Sequence, residues 1–230
     1  YMESPLEREI IAEDSKGEKT DIKPDENDAL AAIVFKTVVD PYVGKLSIFR
    51  VMSGKIKSDS TVYNSVKMKD EKIGRIYTLT GKKQTDVGVV GAGDIGAVTK
   101  LAYTSTGDTL CGCGKDIILE KIEYPKPVIS FAVVPVAKGD EEKISSGLAK
   151  LREEDPTFTV SNNTETHQMI ISGQGEQHLD IIKSKLKTKF GVDVRLEEPI
   201  VAYREAIRGK AKVEGKHKKQ SGGHGQYGHV

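Results

Sequence analysis

VISFAVVPVAKGDEEKISSGLAKLREEDPTFTVSNNTETHQMIISGQGEQHLDIIKSKLKTKFGVDVRLE, residues 128–197, decides the fold. Residues 128–135 run apolar, as a buried strand does. Over 139–155, Ile144, Leu148 and Leu151 fall on one helical face. Asp140, Glu141 and Glu142 charge the first turn, where the helix dipole favours acids, and Pro156 stops the helix. Phe158, Val160 and Asn162 then alternate with Thr157, Thr159 and Ser161. After a turn near Thr164, Met169 and Ile171 alternate with Gln168, Ile170 and Ser172. These two runs have the period of strands. From about Glu176 a second helical stripe holds Leu179, Ile182, Leu186 and Phe190, with Gly191 as its C-terminal cap. Val192, Val194 and Leu196 alternate with Asp193, Arg195 and Glu197 as a last strand. The order βαββαβ within 126–198 predicts a ferredoxin-like unit, with both helices on one face of an antiparallel sheet.

Toward the N-terminus, Pro125 and Pro127 punctuate a boundary and the pattern changes. Residues 29–122 carry short β-branched runs at 33–39, 46–51, 61–66, 73–79, 95–100 and 117–122. Turn clusters separate them: Asp40-Pro41-Tyr42-Val43-Gly44, Ser53-Gly54, Ser58-Asp59-Ser60, Gly91-Ala92-Gly93-Asp94 and Ser105-Thr106-Gly107-Asp108. Such spacing predicts a small closed β-barrel that folds separately from 126–198. Residues 1–28 lack periodicity and read as a linker or an edge strand. Beyond Pro199, residues 201–207 and 210–216 read as strands of a domain only begun, so the chain is expected to be a fragment. The expected fold class is multi-domain β plus α+β, ending in the truncated start of a further α/β domain.

Composition narrows the function. The 230 residues have room for one large or two small domains. A hydrophobic fraction of 37% and a charged fraction of 30% describe a foldable, polar chain. Lys and Arg number 35 against 34 Asp and Glu, which excludes a uniformly basic nucleic-acid binder. The even total hides an asymmetry. Residues 1–28 hold ten acids and four bases, a net −6, whereas residues 204–230 hold seven bases and two acids, a net +5. Three of the five His, at 217, 224 and 229, lie in that basic end. Charge of this kind suits either a solvated tail or a surface for a polyanion. No apolar run approaches the roughly 18–20 residues of a membrane helix, and residues 1–10 do not read as a signal peptide. Two Cys in a chain of this length point to a reducing cytosol. Trp is absent and aromatics make up 6%, which disfavours a base-stacking platform.

The small motifs carry little chemistry. Gly91, Gly93 and Gly96 match a dinucleotide fingerprint, as do Gly223, Gly225 and Gly228, but neither has the strand–helix context that brings pyrophosphate to a helix N-terminus. Every Gly-Lys pair, at 44, 54, 81, 114, 209 and 215, is followed by something other than Ser or Thr, so no P-loop is present. Cys111-Gly112-Cys113 has no second Cys pair and no nearby His, and reads as a turn with free thiols. His167 and His178 lack metal-helix spacing and read as surface or packing residues. The expectation is no catalytic, cofactor-binding or metal-binding residue in this chain. Lys183, Lys185, Lys187 and Lys189 read as a solvated face or a phosphate-contacting strip. The most informative stretch runs from Lys216 to His229. Lys216, Lys218 and Lys219 flank Ser221, Gly222, Gly223, His224, Gly225, Gln226 and Tyr227. Glycines let the backbone approach a surface closely, and the polar residues suit RNA backbone and base edges. These ten residues are the candidate RNA-binding set.

Longer motifs carry a resemblance. They are Tyr1-Met2-Glu3-Ser4-Pro5, Phe35-Lys36, Asp40–Leu46 as DPYVGKL, Arg50-Val51-Met52-Ser53-Gly54, Ala92-Gly93-Asp94-Ile95 and Thr106-Gly107-Asp108-Thr109-Leu110-Cys111. Further along stand Pro127-Val128-Ile129-Ser130, Glu153-Glu154-Asp155-Pro156-Thr157-Phe158, Gly173-Gln174-Gly175-Glu176-Gln177-His178-Leu179, Val201-Ala202-Tyr203-Arg204-Glu205 and QSGGHGQYGHV at 220–230. In this order they resemble the bacterial elongation factor G family, translational GTPases that drive ribosomal translocation. The resemblance implies a linker from a missing GTPase domain at 1–28 and a domain II-like translation-factor barrel at 29–122. It implies a ferredoxin-like domain III at 126–198 and the truncated start of domain IV at 200–230. It places the 221–228 loop against tRNA and mRNA, with His224 where many relatives carry Arg. It implies that the chain is not itself an enzyme, and that GTP and magnesium belong to the missing GTPase domain. The implied partners are the ribosome, with its ribosomal RNA, tRNA and mRNA at the decoding centre, and the GTPase domain of the same parent chain. No membrane is implied, and the location is cytoplasmic. Rival readings are a tetracycline-type ribosomal protection protein, which differs in the tip loop, and a stand-alone RNA-binding adaptor.

Overall fold

The structure, a computed structural model, describes residues 10–14, 17–40, 44–81, 83–114, 116–220, 222–223 and 225–230. The turn expected over 40–44 lies largely outside them, as does the 1–5 motif. Two compact units are present, residues 1–200 and 201–230.

The first part of the larger unit is all-β. Its strands are β1 (Ile10–Asp14), β2 (Lys19–Ile22), β3 (Ala31–Asp40), β4 (Gly44–Ser53), β5 (Lys55–Lys57), β6 (Thr61–Asn64) and β7 (Lys69–Lys72). They continue as β8 (Ile76–Thr80), β9 (Lys83–Val87), β10 (Val89–Gly91), β11 (Ile95–Thr99), β12 (Thr109–Cys111) and β13 (Ile117–Leu119). Eight of them form one antiparallel sheet in the order β7-β6-β12-β3-β4-β11-β8-β9. The sheet wraps a single core. Val62 and Ile76, from strands near its opposite edges, share that core with Val34, Phe49, Val51, Val98 and Leu110. The β5–β10 ribbon adds Ile56 and Val90 to it. Between Val34 and Lys36 the β3–β4 register slips, leaving Phe35 as the extra residue of a bulge. Gly54, between β4 and β5, has φ +71, and a Cβ there would stand 2.7 Å from the Leu30 Cα, so this turn requires glycine.

Within 1–28 the structure shows more than a linker. Strand β1 lies between β2 and β13 in a three-stranded sheet. Ile10 and Ala12 pack with Ala31 and Leu119, so burial of alternate residues secures β1, which is central in its sheet where a linker or an edge strand was expected.

The second part of this unit holds β14 (Ile129–Pro135), α1 (Glu141–Glu154), β15 (Thr159–Asn163), β16 (Gln168–Gly173), α2 (Glu176–Phe190) and β17 (Val194–Glu197). Sheet order β15-β16-β14-β17, antiparallel throughout, is the ferredoxin-like arrangement read from the sequence. Ile144, Leu148 and Leu151 of α1 and Leu179, Ile182 and Leu186 of α2 are all buried. Gly191 closes α2 with φ 68 and returns its N–H to the Lys187 carbonyl.

These two parts meet through charge. Glu154, at the end of α1, accepts the Val39 N–H of β3 at 2.7 Å and the Lys189 Nζ of α2 at 2.6 Å. Lys189 also donates to the Val39 carbonyl at 3.2 Å, and Lys45 pairs with Glu153 at 2.9 Å.

The smaller unit holds β18 (Lys216–Lys219) and β19 (Gln226–His229). Residues 201–207, expected to be a strand, are irregular and exposed, and of 210–216, also expected to be a strand, only the end joins a ladder, through Gly215 and Lys216. A β-branched run becomes a strand only where another backbone offers it hydrogen bonds.

Candidate nucleic-acid interface

The candidate residues lie on one exposed hairpin. Strands β18 and β19 pair as Lys216↔His229, His217↔Gly228, Lys218↔Tyr227 and Lys219↔Gln226. Gly215 and Val230 extend the ladder with two further bonds, of 2.8 and 2.9 Å. Directly opposed residues share a face, so the hairpin sorts its side chains. Lys216, Lys218, Tyr227 and His229 occupy one face. Lys219, Gln226 and His217 occupy the other. The three lysines that stand together in sequence are therefore divided, two and one. Gly222, Gly223 and Gly225 lie in the connecting loop, and Gly222 has φ +80. Ser221 and His224 of the candidate set lie outside the described residues.

The face bearing Tyr227 is partly organised. His229 Nε2 lies 2.6 Å from Glu214 Oε1, and the Tyr227 and His229 rings are 6.5 Å apart, tilted by 50°. Glu214 thus tempers the positive charge beside Lys216. What the hairpin offers is separated cations, a tyrosine and an amide on a pliant glycine loop.

Half of the lysine strip on α2 is committed elsewhere. Lys187 binds Asp193 at 2.6 Å and Lys189 binds Glu154 at the same distance, while Lys183 and Lys185 are half-buried. The Gly91–Gly96 stretch leads from β10 into β11, a strand, and so offers a pyrophosphate no helix N-terminus. The Cys111 Sγ is buried, 3.5 Å from the Tyr63 carbonyl, and burial pushes its thiol upward. Among the described residues, no group of three or more His, Cys, Asp or Glu side chains gathers as a metal site. No helix among them is long and apolar enough to cross a membrane.

A second constellation escaped the sequence reading because its members lie in two motifs. The Glu153–Phe158 and Gly173–Leu179 stretches meet where α1 ends and α2 begins. The Gln174 N–H donates to His178 Nδ1 at 3.1 Å. That leaves the Nε2 proton to be donated to Asp155 Oδ2, 3.0 Å away. Thr157 donates both its hydroxyl, at 2.5 Å, and its N–H, at 3.0 Å, to Asp155 Oδ1. Gln174 Nε2 reaches the Pro125 carbonyl at 2.9 Å, tying the boundary between barrel and ferredoxin-like unit to this joint. His178 is therefore a hydrogen-bonded packing residue.

A barrel, a split βαβ unit and a glycine-rich basic hairpin in that order define a multi-domain protein of the translation-factor type. Three family models match in the same order. "Elongation factor G domain 2" covers residues 29–113, "Elongation Factor G, domain III" covers 124–198 and "Elongation factor G, domain IV" covers 199–230. Proteins named Elongation factor G from Thermotoga maritima and Thermotoga petrophila are 51% and 50% identical over the whole chain, which spans 34% and 33% of their lengths. A solved chain from Thermus thermophilus is 33% identical with a TM-score of 0.69, over 88% of this chain and 31% of its own. The chain belongs to the elongation factor G family.

Proposed function

We propose that this chain is the middle third of a translocase that moves tRNA and mRNA through the ribosome at the expense of GTP. The reading rests on the ordered match of three elongation factor G domains along one chain. GTP and magnesium would be held by the GTPase domain that such a protein carries elsewhere, because no stretch here fits a triphosphate. The residues present would act mechanically: nucleotide state in that domain would shift the position of these domains, a two-state element biased from a distant site. The protein would work in the cytoplasm, with the ribosome as its partner.

The hairpin would be the part that meets RNA. Lys216, Lys218 and Lys219 would neutralise phosphates and position it, while Gln226, Tyr227 and the 221–225 loop, including Ser221 and His224, would make shorter contacts. Relatives named Elongation factor G match through the tip loop itself, which favours the translocase over a ribosomal protection protein. The test is Gln226→Asp in a full-length family member carrying this segment. Translocation, followed by fluorescent mRNA movement, should slow by at least about tenfold as a charge-assisted contact turns repulsive. Ribosome-stimulated GTP hydrolysis should stay near normal. A variant that translocates at the normal rate removes the hairpin from the working tip.

A further inference from the structure

On the outer face of the barrel, between β3, β4 and β11 and the small β13-β1-β2 sheet, lies a pocket of about 390 Å³. Its walls include Ile33, Phe35, Met52, Ile95 and Ile122, and Arg50 stands among them. Register explains the placement. Arg50 is directly opposite Ile33 on one side and Ile95 on the other, so its cross-strand neighbours are both aliphatic. Ile48 and Met52 precede and follow it on the same face of β4. Phe35, the extra residue of the bulge, completes the wall.

Two features of this pocket need a partner. The Arg50 Nε is buried with no hydrogen bond, and Arg50 is in no ion pair among the described residues. A guanidinium donor removed from water without an acceptor costs free energy, and protein interiors rarely retain one. In addition, Ile95 and Ile122 remain 47% and 42% exposed at the rim, an apolar surface open to solvent beside the charge.

We propose that the pocket binds a monocarboxylate carried on a short, unbranched apolar chain. A carboxylate is planar, carries one charge and accepts from the guanidinium fork along two oxygens. A phosphate would bring more charge than one Arg offsets. Glu120, which also lines the pocket, would repel any further anionic group. The tail lies along Ile33, Phe35, Ile95 and Ile122 and covers what the rim now exposes. The volume falls within the range of small-ligand sites, about 300–1,000 Å³.

Octanoate is the probe, titrated into the whole chain with isoleucine methyl NMR as the readout. Saturable shifts confined to Ile33, Ile95 and Ile122, with octanol at least about tenfold weaker and octylammonium not binding, are the expected result. Arg50→Met keeps the bulk and removes the charge. It should erase the preference for octanoate over octanol while leaving octanol binding in place. Arg50→Lys keeps a cation without the fork and should retain a reduced preference, which guards against an unfolded Arg50→Met protein. Shifts scattered over the surface, equal binding of octanoate and octanol by the unaltered chain, or unchanged octanoate binding by Arg50→Met would each overturn the proposal.

Discussion

Glu71 shows how much one residue can hold. It is 3% exposed, and its carboxylate accepts from the N–H groups of Ala102, Tyr103 and Thr104 and from the Thr104 hydroxyl, at 2.6–3.1 Å. Thr104 Oγ1 in turn takes the Asn64 amide, whose second acceptor is Asp108. Glu71→Ala would leave the two buried Thr104 donors and the part-buried Ala102 and Tyr103 N–H groups without their acceptor and should cost roughly 2–4 kcal/mol, read as a lowered urea midpoint. An unchanged midpoint would show that water replaces the carboxylate without loss. Asp155 makes a different prediction. Burial raises its pKa, but the Thr157 hydroxyl, the Thr157 N–H and His178 outweigh burial and hold the carboxyl below its ordinary value. A depressed acid stabilises the fold above its unfolded value, about 3.9, and loses that contribution as pH falls through the folded value. Urea midpoints of the parent and of Asp155→Asn should therefore differ at about pH 6 and converge toward about pH 3. Parallel curves would assign the joint's strength to packing. Neither residue was legible in advance: the partners of Glu71 lie some thirty positions away, and the two halves of the Asp155 joint lie in separate motifs.

Among the elements, legibility followed burial. The six barrel runs read from the sequence correspond to β3, β4, β6, β8, β11 and β13, each with apolar residues facing a core. Strands β7 and β9, KDEK and KQTDV, are edge strands almost without buried side chains, so no alternation marks them. Strand β12 is fully buried but three residues long, too short to show a period. Both helices were legible because their apolar stripes and the Gly191 cap are local signals. The seam between barrel and α1 was not, because Glu154 meets Val39 across 115 positions. That seam has a testable cost. Glu154→Ala leaves Lys189 half-buried without its carboxylate and the Val39 N–H without an acceptor. Hydrogen exchange at Val39 should quicken by about tenfold or more, while the α1 interior keeps its protection. Equal exchange in the variant would assign the seam to Lys45 and Glu153 instead.

At the scale of the whole molecule, the order of the units was more legible than their attachments. The ferredoxin-like unit could be read because its period switches within 70 residues, and the hairpin because glycine and lysine concentrate there. The division of the lysines between two faces needed the register, which no composition reveals. The least expected attachment is β1, whose Ala12 pairs with Leu119 about a hundred residues later. This has a consequence for biogenesis. During synthesis, Ile10 and Ala12 emerge about a hundred residues before 117–119 and must wait for them before their side of the small sheet can close. At about 5–20 residues per second that wait lasts several seconds, with an apolar edge open to wrong partners. In the split βαβ unit the most distant pairing, β14 with β17, joins residues closer in sequence, so the wait is shorter. Ribosome-bound chains halted with residue 105 outside the exit tunnel should be cut by protease near β1, and chains halted with residue 125 outside should resist. Equal resistance in both would mean that β2 alone holds the newborn strand until its distant partner arrives.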